Sequence, residues 1–167
     1  MTREVEYVVT DLEMRTRPAE RLALPDDTRI GEVGADQFLR LYRTVGGPYE
    51  WTDWLARPAA EAEAHYAHPD RPIYVLMRDG RELGFCVLDF VYDDGADLAY
   101  FGMMPDAVGQ GLGKPFLNWA IHQLWDRATA PLVTVNTCTL DHPSALPLYQ
   151  KMGFVPVGTD TRRRMIA

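Results

Sequence analysis

The sequence predicts a mixed α/β fold, one central sheet with helices on both faces, and three observations carry that expectation. Segments rich in β-branched residues recur at both ends and in the middle of the chain. Apolar residues at helical spacing separate them, and the elements follow the order β, α, α, β, β, β, α, β, α, β. The long helical stretch between Met103 and Leu132 joins two strands, which predicts a parallel pair linked by a right-handed crossover. At 167 residues the chain is the size of one domain with one core, 1–167.

Val5 to Met14 alternates β-branched and charged residues and reads as the first strand. Pro18, Pro25 and Asp26-Asp27 make Arg17 to Thr28 a loop. Phe38, Leu41, Tyr42 and Val45 fall at helical spacing within Asp36–Val45, and Gly46-Gly47-Pro48 ends that helix. Trp51 to Ala67 reads as an irregular helical region interrupted at Pro58. Ile73–Met77 and Leu83–Val91 are strands joined through Asp79-Gly80, a hairpin signal. Asp93-Asp94-Gly95 turns into a third strand, Leu98–Met103.

The period then changes. Phe116, Leu117, Ala120, Ile121, Leu124 and Trp125 form one apolar helical face, with Asn118, His122 and Asp126 expected on the opposite, solvated side. Leu132–Cys138 is a strand, Ser144–Met152 a short helix ended by Gly153, and Phe154–Val157 opens a last strand running toward Ile166.

Composition narrows the function. Apolar residues are 47% and charged residues 25% of the chain, a globular balance. The net charge of -7 argues against a nucleic-acid partner, because phosphate binding needs a basic face. Arg162-Arg163-Arg164 is the only basic cluster and reads as a solvated chain end. Cys86 and Cys138 are too far apart in the chain for a zinc motif or a disulfide framework, and His65, His68 and His122 share no ligand spacing, so no metal is expected. Neither an N-terminal apolar leader nor a membrane-length apolar run is present, which predicts a cytoplasmic protein with no membrane partner.

The strongest chemistry lies in Met103-Met104-Pro105-Asp106-Ala107-Val108-Gly109-Gln110-Gly111-Leu112-Gly113-Lys114. A strand ends, three glycines alternate with other residues, and a helix begins. Glycine lets backbone N–H groups converge without a Cβ in the way, the helix N-terminus adds positive partial charge, and Lys114 adds a full charge. The product is an anion cradle of phosphate or pyrophosphate size. A P-loop alignment fails twice, with Val108 at its first glycine and Pro115 at its hydroxyl position, and the dinucleotide spacing G-x-G-x-x-G is absent.

A third pattern fits. The loop resembles [RQ]-x-x-G-x-[GA] of the GNAT acetyltransferases, with Gly111 and Gly113 at the small positions and Val108 standing where Arg or Gln is usual. One helix and one strand later, Ala145, Leu148, Tyr149, Gly153 and Phe154 match the family's N-x-x-A-x-x-L-Y-x-x-x-G-F in register, with His142 where Asn is usual. The resemblance spans about Asp97 to Val157.

It implies a GNAT acyl-CoA N-acyltransferase fold, a mostly antiparallel sheet with a splayed parallel pair. It also implies acetyl-CoA as co-substrate and an N-acetyltransferase acting on a small-molecule primary amine, with a homodimer compatible with the family. The CoA arm would lie between Leu98–Met103 and Leu132–Cys138, touching Met103, Met104, Val108, Gly109, Gln110, Gly111, Leu112, Gly113, Lys114 and His142. His142 reads equally as a helix cap beside Pro143. Tyr149 occupies the position of the tyrosine that protonates the departing thiolate, and a phenol is protonated at neutral pH.

Asp97 falls where some members carry a catalytic Glu, on a face expected to include Ala99, Phe101 and Met103; it also reads as a turn residue after Asp94-Gly95. Tyr49, Glu50, Trp51 and Trp54, with Asp53 and Asp89, are candidates to hold an ammonium, or else aromatics that pack on the sheet. Cys138, near Asp141 and His142, reads as pocket lining rather than a nucleophile. Two other classes stay open: a non-catalytic acyl-CoA-binding module of the same fold, and an unrelated nucleotide binder. An acceptor on a peptide or protein is a further variant of the enzyme reading.

Overall fold

Alternation carries the ends of the chain into two long strands, β1 (Arg3–Met14) and, last in the chain, β7 (Val155–Ile166). Between them lie β2 (Thr28–Val33), α1 (Phe38–Gly46), α2 (Ala59–Tyr66), β3 (Ile73–Arg78), β4 (Arg81–Asp89), β5 (Ala96–Met103), α3 (Gly113–Arg127), β6 (Val133–Cys138) and α4 (Ala145–Lys151). This computed structural model describes residues 1–166. The seven strands form one sheet in the order β2-β3-β4-β5-β6-β1-β7. Every neighbouring pair is antiparallel except β5 and β6, the pair the crossover predicted.

Two elements differ from the sequence reading. β2 is a strand where none was expected: it holds Gly31 and two charged residues and pairs only with β3, an edge position that asks little of strand propensity. The second helix is confined to Ala59–Tyr66, because Pro58 starts it and turns occupy the stretch from Trp51. The β3–β4 hairpin turns as expected, with Asp79 and Gly80 both at positive φ, +50° and +75°.

Tyr100 and Phe101 are chain neighbours that point to opposite faces. Tyr100 packs on Phe38 and Tyr42 of α1, at ring-centroid distances of 5.6 and 5.5 Å, and Phe101 on Phe116 of α3 at 5.4 Å. The core is thus split by the sheet into an α1/α2 side and an α3 side. A bulge at Ala99 interrupts β5: Val87 pairs with Tyr100, but Leu88 pairs with Leu98. The extra residue reverses the alternation, so Asp97 lies on the face of Tyr100, not on that of Phe101 as plain period-2 counting predicted.

β5 and β6 hold together for only two pairs, Ala96 with Val133 and Asp97 with Thr134. Beyond them β6 stays fixed along its length by β1, from Met14–Val133 to Val9–Cys138, while β5 stays paired with β4 on both sides of its bulge. The sheet therefore opens from Leu98 onward.

The expected solvent side of α3 is also corrected. Asn118 and His122 are buried beneath the segment 17–24. Asn118 accepts from the Leu22 N–H at 2.8 Å and donates to the Glu20 carbonyl at 3.1 Å. His122 accepts from Arg17 Nε at Nδ1, 3.0 Å, which puts its proton on Nε2, facing the Glu20 carbonyl at 2.9 Å. The polar face that amphipathicity reads as solvated is instead a docking strip for a loop. Asn118→Ala leaves a buried N–H and C=O without partners, so it is expected to cost about 2–3 kcal/mol, read as a fall of at least 5 °C or so in the thermal midpoint.

Candidate active site

A cleft of about 710 Å³ fills the opening between β5 and β6. Its walls are Leu98–Met103 of β5, Val135, Asn136 and Cys138 of β6, the loop before α3, and the start of α4. Because the β5–β6 ladder has ended, the backbone edge of β5 toward β6 is free along this wall.

At one end stands the glycine loop. Val108, Gly109, Leu112 and Gly113 line the cleft, while their chain neighbours Gln110, Gly111 and Lys114 do not. Gly109 and Gly111 have φ of +83° and +76°, conformations that L side chains rarely adopt. Leu112 caps α3 without a side-chain hydrogen bond. Among the described residues the N–H groups from Gly109 to Lys114 have no acceptor. Gly113 is different: it needs no unusual φ, and a Cβ there would meet nothing within 4 Å. Nothing in the protein itself requires a glycine at that point, so what the missing side chain preserves is open space in front of converging N–H donors.

Lys151 of α4 approaches Lys114, and its close approach and like charge pull Lys114 below the ordinary lysine range. Two adjacent lysine side chains thus stand beside the loop's free N–H groups; the sequence reading had found only the first of them. Gln110 folds back onto the Asp106 carbonyl at 2.9 Å, and Met104 is buried, its N–H given to Leu83 at 2.8 Å. Neither lines the cleft, whereas Met103 does.

Tyr149, deeper in the cleft, is 6% exposed and packs edge-on against Phe154 at 6.0 Å. Burial first, then the Asp141 and Asp97 carboxylates, push its phenol above the ordinary range, so the hydroxyl keeps its proton. Among the described residues that hydroxyl has no hydrogen-bond partner, which leaves it free to act on a ligand. His142 lines the cleft while its Nδ1 accepts from the Ser144 N–H at 3.0 Å. It is thus a wall that also holds the backbone of Ser144, the N-cap of α4, with Nε2 left over.

The side of the cleft toward α1 is aromatic. Tyr42, Tyr49, Trp51 and Tyr100 line it, and Trp51 Nε1 donates to Asp141 at 2.9 Å across the cleft. Asp141 also accepts from Thr137 at 2.6 Å and from the Cys138 N–H at 3.0 Å, so it is fully used. Three residues expected here are elsewhere. Trp54 stacks among Phe38, His65 and Tyr66, away from the lining. Asp89 is buried and paired with Arg71 at 3.4 Å. Glu50 contributes its carbonyl rather than its side chain, held by a left-handed φ of +61°.

Arg162 and Arg164 of β7 enter this side instead, with Tyr7 and Val9 of β1. The sequence reading had left the arginine run in solvent, and Arg162 and Arg163 are exposed, Arg163 turned onto Glu4 and Glu6, but Arg164 is largely covered. The signal was the i, i+2 spacing; what sequence lacked was the strand that pairs with it.

Asp97 opens onto a separate cavity of about 300 Å³ with Tyr92, Thr134 and Asn136, and Asn136 borders both spaces. Burial raises its carboxyl to about 6, against a 2.6 Å hydrogen bond from Thr134 that lowers it and the Asp89 and Asp11 charges that raise it. Cys138 lines the cleft, but burial and Asp141 push its thiol up, which argues against a nucleophilic thiolate. Among the described residues no three His, Cys, Asp or Glu side chains cluster as metal ligands, and no helix is long and apolar enough to cross a membrane.

Comparisons with known proteins agree with this geometry. The chain is 29% identical over 159 residues to a mycothiol acetyltransferase from Thermomonospora curvata, a match covering 89% of this chain and 52% of that protein. It thus spans about half the length of the curated relative it matches. Among solved structures, it superposes on a GCN5-related N-acetyltransferase from Sphaerobacter thermophilus with a TM-score of 0.69 at 14% identity, over 98% of this chain and 53% of that one. A GCN5-related N-acetyltransferase from Kribbella flavida gives 0.64 at 18%, over 92% and 56%. Those identities speak for the fold alone. A family model described as acetyltransferase (GNAT) family matches residues 37–154, and on that match, with the fold and the parted strands behind it, the chain belongs to the GNAT acetyltransferases.

Proposed function

We propose that this chain is an acyl-CoA-dependent N-acyltransferase that moves the acetyl group of acetyl-CoA directly to the primary amine of a small molecule. The observation that carries the reading is the alignment of three features along one cleft. Unpartnered N–H groups with two lysines beside them stand at one end, a free strand edge runs along its wall, and a protonated, unpartnered Tyr149 hydroxyl lies inside. Acetyl-CoA has a matching sequence of parts: phosphates, an amide-bearing arm and a thioester. The space kept by Gly113 suits the phosphates, and the β5 edge can pair with the arm as an added strand would.

In this reading the amine nitrogen attacks the acyl carbon, the C–S bond breaks, and the thiolate takes the Tyr149 proton. Holding both reactants in one cleft supplies much of the rate. The amine's proton leaves toward Asp97 through water in the adjoining cavity, since Asp97 does not itself line the cleft. His142 Nε2, Met103, Val108, Gly109 and Leu112 would contact the CoA arm, while Tyr49 and Trp51 face the acceptor. Two free thiols, Cys86 and Cys138, fit a reducing cytoplasm.

The test is thiol release from acetyl-CoA across a panel of amines. Release only when amine is present supports the enzyme; thermal stabilisation by CoA with no turnover on any amine overturns it in favour of a binding module.

Asp97→Asn tests the base, and the pH signs are fixed by its raised carboxyl. For activity, the wild type should lose kcat/KM as pH falls through about 6, and the variant should lack that acidic limb. For stability, a raised carboxyl favours the fold below the unfolded value near 3.9, and that advantage is lost as pH rises through about 6. The variant, which can still accept from Thr134, is therefore expected to be more stable than wild type at pH 8, by up to about 3 kcal/mol. An unchanged acidic limb removes Asp97 from the mechanism.

A further inference from the structure

The acceptor side of the cleft is lined by two guanidinium groups, those of Arg162 and Arg164, beside the carboxylates of Asp53 and Asp141. The chain has a net charge of -7, yet β7 sends two guanidinium groups into this wall. Arg164 is the more committed of them. Its side chain is 20% exposed, its Nη1 donates to the Glu50 carbonyl at 2.8 Å, and its guanidinium carbon lies 4.4 Å from the centre of the Tyr7 ring. The nearest carboxylate, Asp53, is 4.0 Å away and 78% exposed.

A partly buried cation held by one carbonyl and an aromatic face, whose one carboxylate partner is exposed and 4.0 Å away, has room for a closer anion. Its remaining N–H donors form a planar fork suited to a carboxylate or phosphate.

The surroundings point the same way. Glu50, whose carbonyl fixes Arg164, is held at φ +61°, a conformation that costs a non-glycine residue about 1 kcal/mol or more and that clusters at ligand sites. Arg162 and Arg164 share one face by strand period, Arg162 opposite Tyr7 and Arg164 opposite Val5. Of the acids nearby, Asp141 already accepts from three donors, Asp160 is spent on Arg162 at 2.7 Å, and Asp53 is exposed. Asp89, the buried acid expected to hold an ammonium, is paired with Arg71 outside the cleft.

We propose that the acceptor carries, besides its reacting amine, an anionic oxygen group, a carboxylate or a phosphate, that docks on Arg164 with Arg162 beside it. The inference rests on the acyltransferase reading for the amine, but its anion site stands on β7 alone. An amine whose only charge is positive would meet the Arg164 guanidinium here and is disfavoured.

Binding of acetylated products, followed by Trp51 fluorescence with CoA present, tests the anion site without requiring turnover. Two arms distinguish the anion: N-acetylamino acids against their carboxamides, and N-acetyl-O-phosphoethanolamine against N-acetylethanolamine. In at least one arm the anionic member is expected to bind 10-fold or more tighter. Arg164→Gln should erase that difference while leaving the thermal shift given by CoA intact, and Arg164→Lys should restore part of it. Equal binding within both arms, no binding of any anionic member, or a preference untouched by Arg164→Gln and by Arg162→Gln overturns the proposal. Anion preference without turnover on any amine would leave this inference standing and remove the acyltransferase reading, so the two fail separately.

Discussion

Tyr149→Phe is expected to lower kcat by about 10²- to 10³-fold while leaving acetyl-CoA affinity within about twofold, as steady-state and binding measurements would read it. The substitution removes one oxygen from a ring that is otherwise packed, so the fold should persist. Its hydroxyl bonds to nothing else among the described residues, and burial keeps it protonated, so its loss has no structural consequence to confuse with a chemical one. What disappears is the proton delivered to the departing sulfur. A large loss of CoA affinity with turnover per bound substrate unchanged would instead make Tyr149 a packing residue.

Gly113→Val is expected to weaken CoA binding by at least about 100-fold, or about 2.7 kcal/mol, and to leave the thermal midpoint without ligand unchanged. The two halves of that expectation come from one observation: a Cβ at Gly113 meets no protein atom, so only an occupant of the cradle can feel it. Gly111→Val should behave in the opposite manner. At φ +76° the side chain strains the backbone, so stability falls by about 1–2 kcal/mol even without ligand. Calorimetric titration of CoA beside thermal melts separates the two. If Gly113→Val bound CoA normally, the helix N-terminus could not be the phosphate site.

Particular residues mark where sequence reading succeeds and where it stops. The Asp79-Gly80 turn, the apolar stripe of α3 and the glycine loop are written in neighbours no more than a few residues apart, and all three stand in the fold as read. Asp97 is the instructive failure: its spacing from Phe101 is even, yet the two face opposite ways, because a single bulged residue at Ala99 answers to β4 and not to its own strand. His122 and Asn118 fail for a related reason. Helical periodicity separates polar from apolar faces, but a loop about a hundred residues earlier decided that the polar face would be covered. Arg162 and Arg164 had the right alternation, yet only the β1 partner strand tells which face is the cleft.

The sequence by itself determined the local chemistry: the donors before α3, the tyrosine at the C-terminal part of α4, and the two helices and strands that link them, because those features depend on backbone conformations set within a turn or two. The tertiary structure alone decided where the sheet parts, that β1 is inserted between β6 and β7, and which charges line the acceptor side. The β1 pairings join residues more than a hundred positions apart, and β5 meets β6 across a whole helix. Their register is fixed by which faces must be buried together, a condition that no single segment contains.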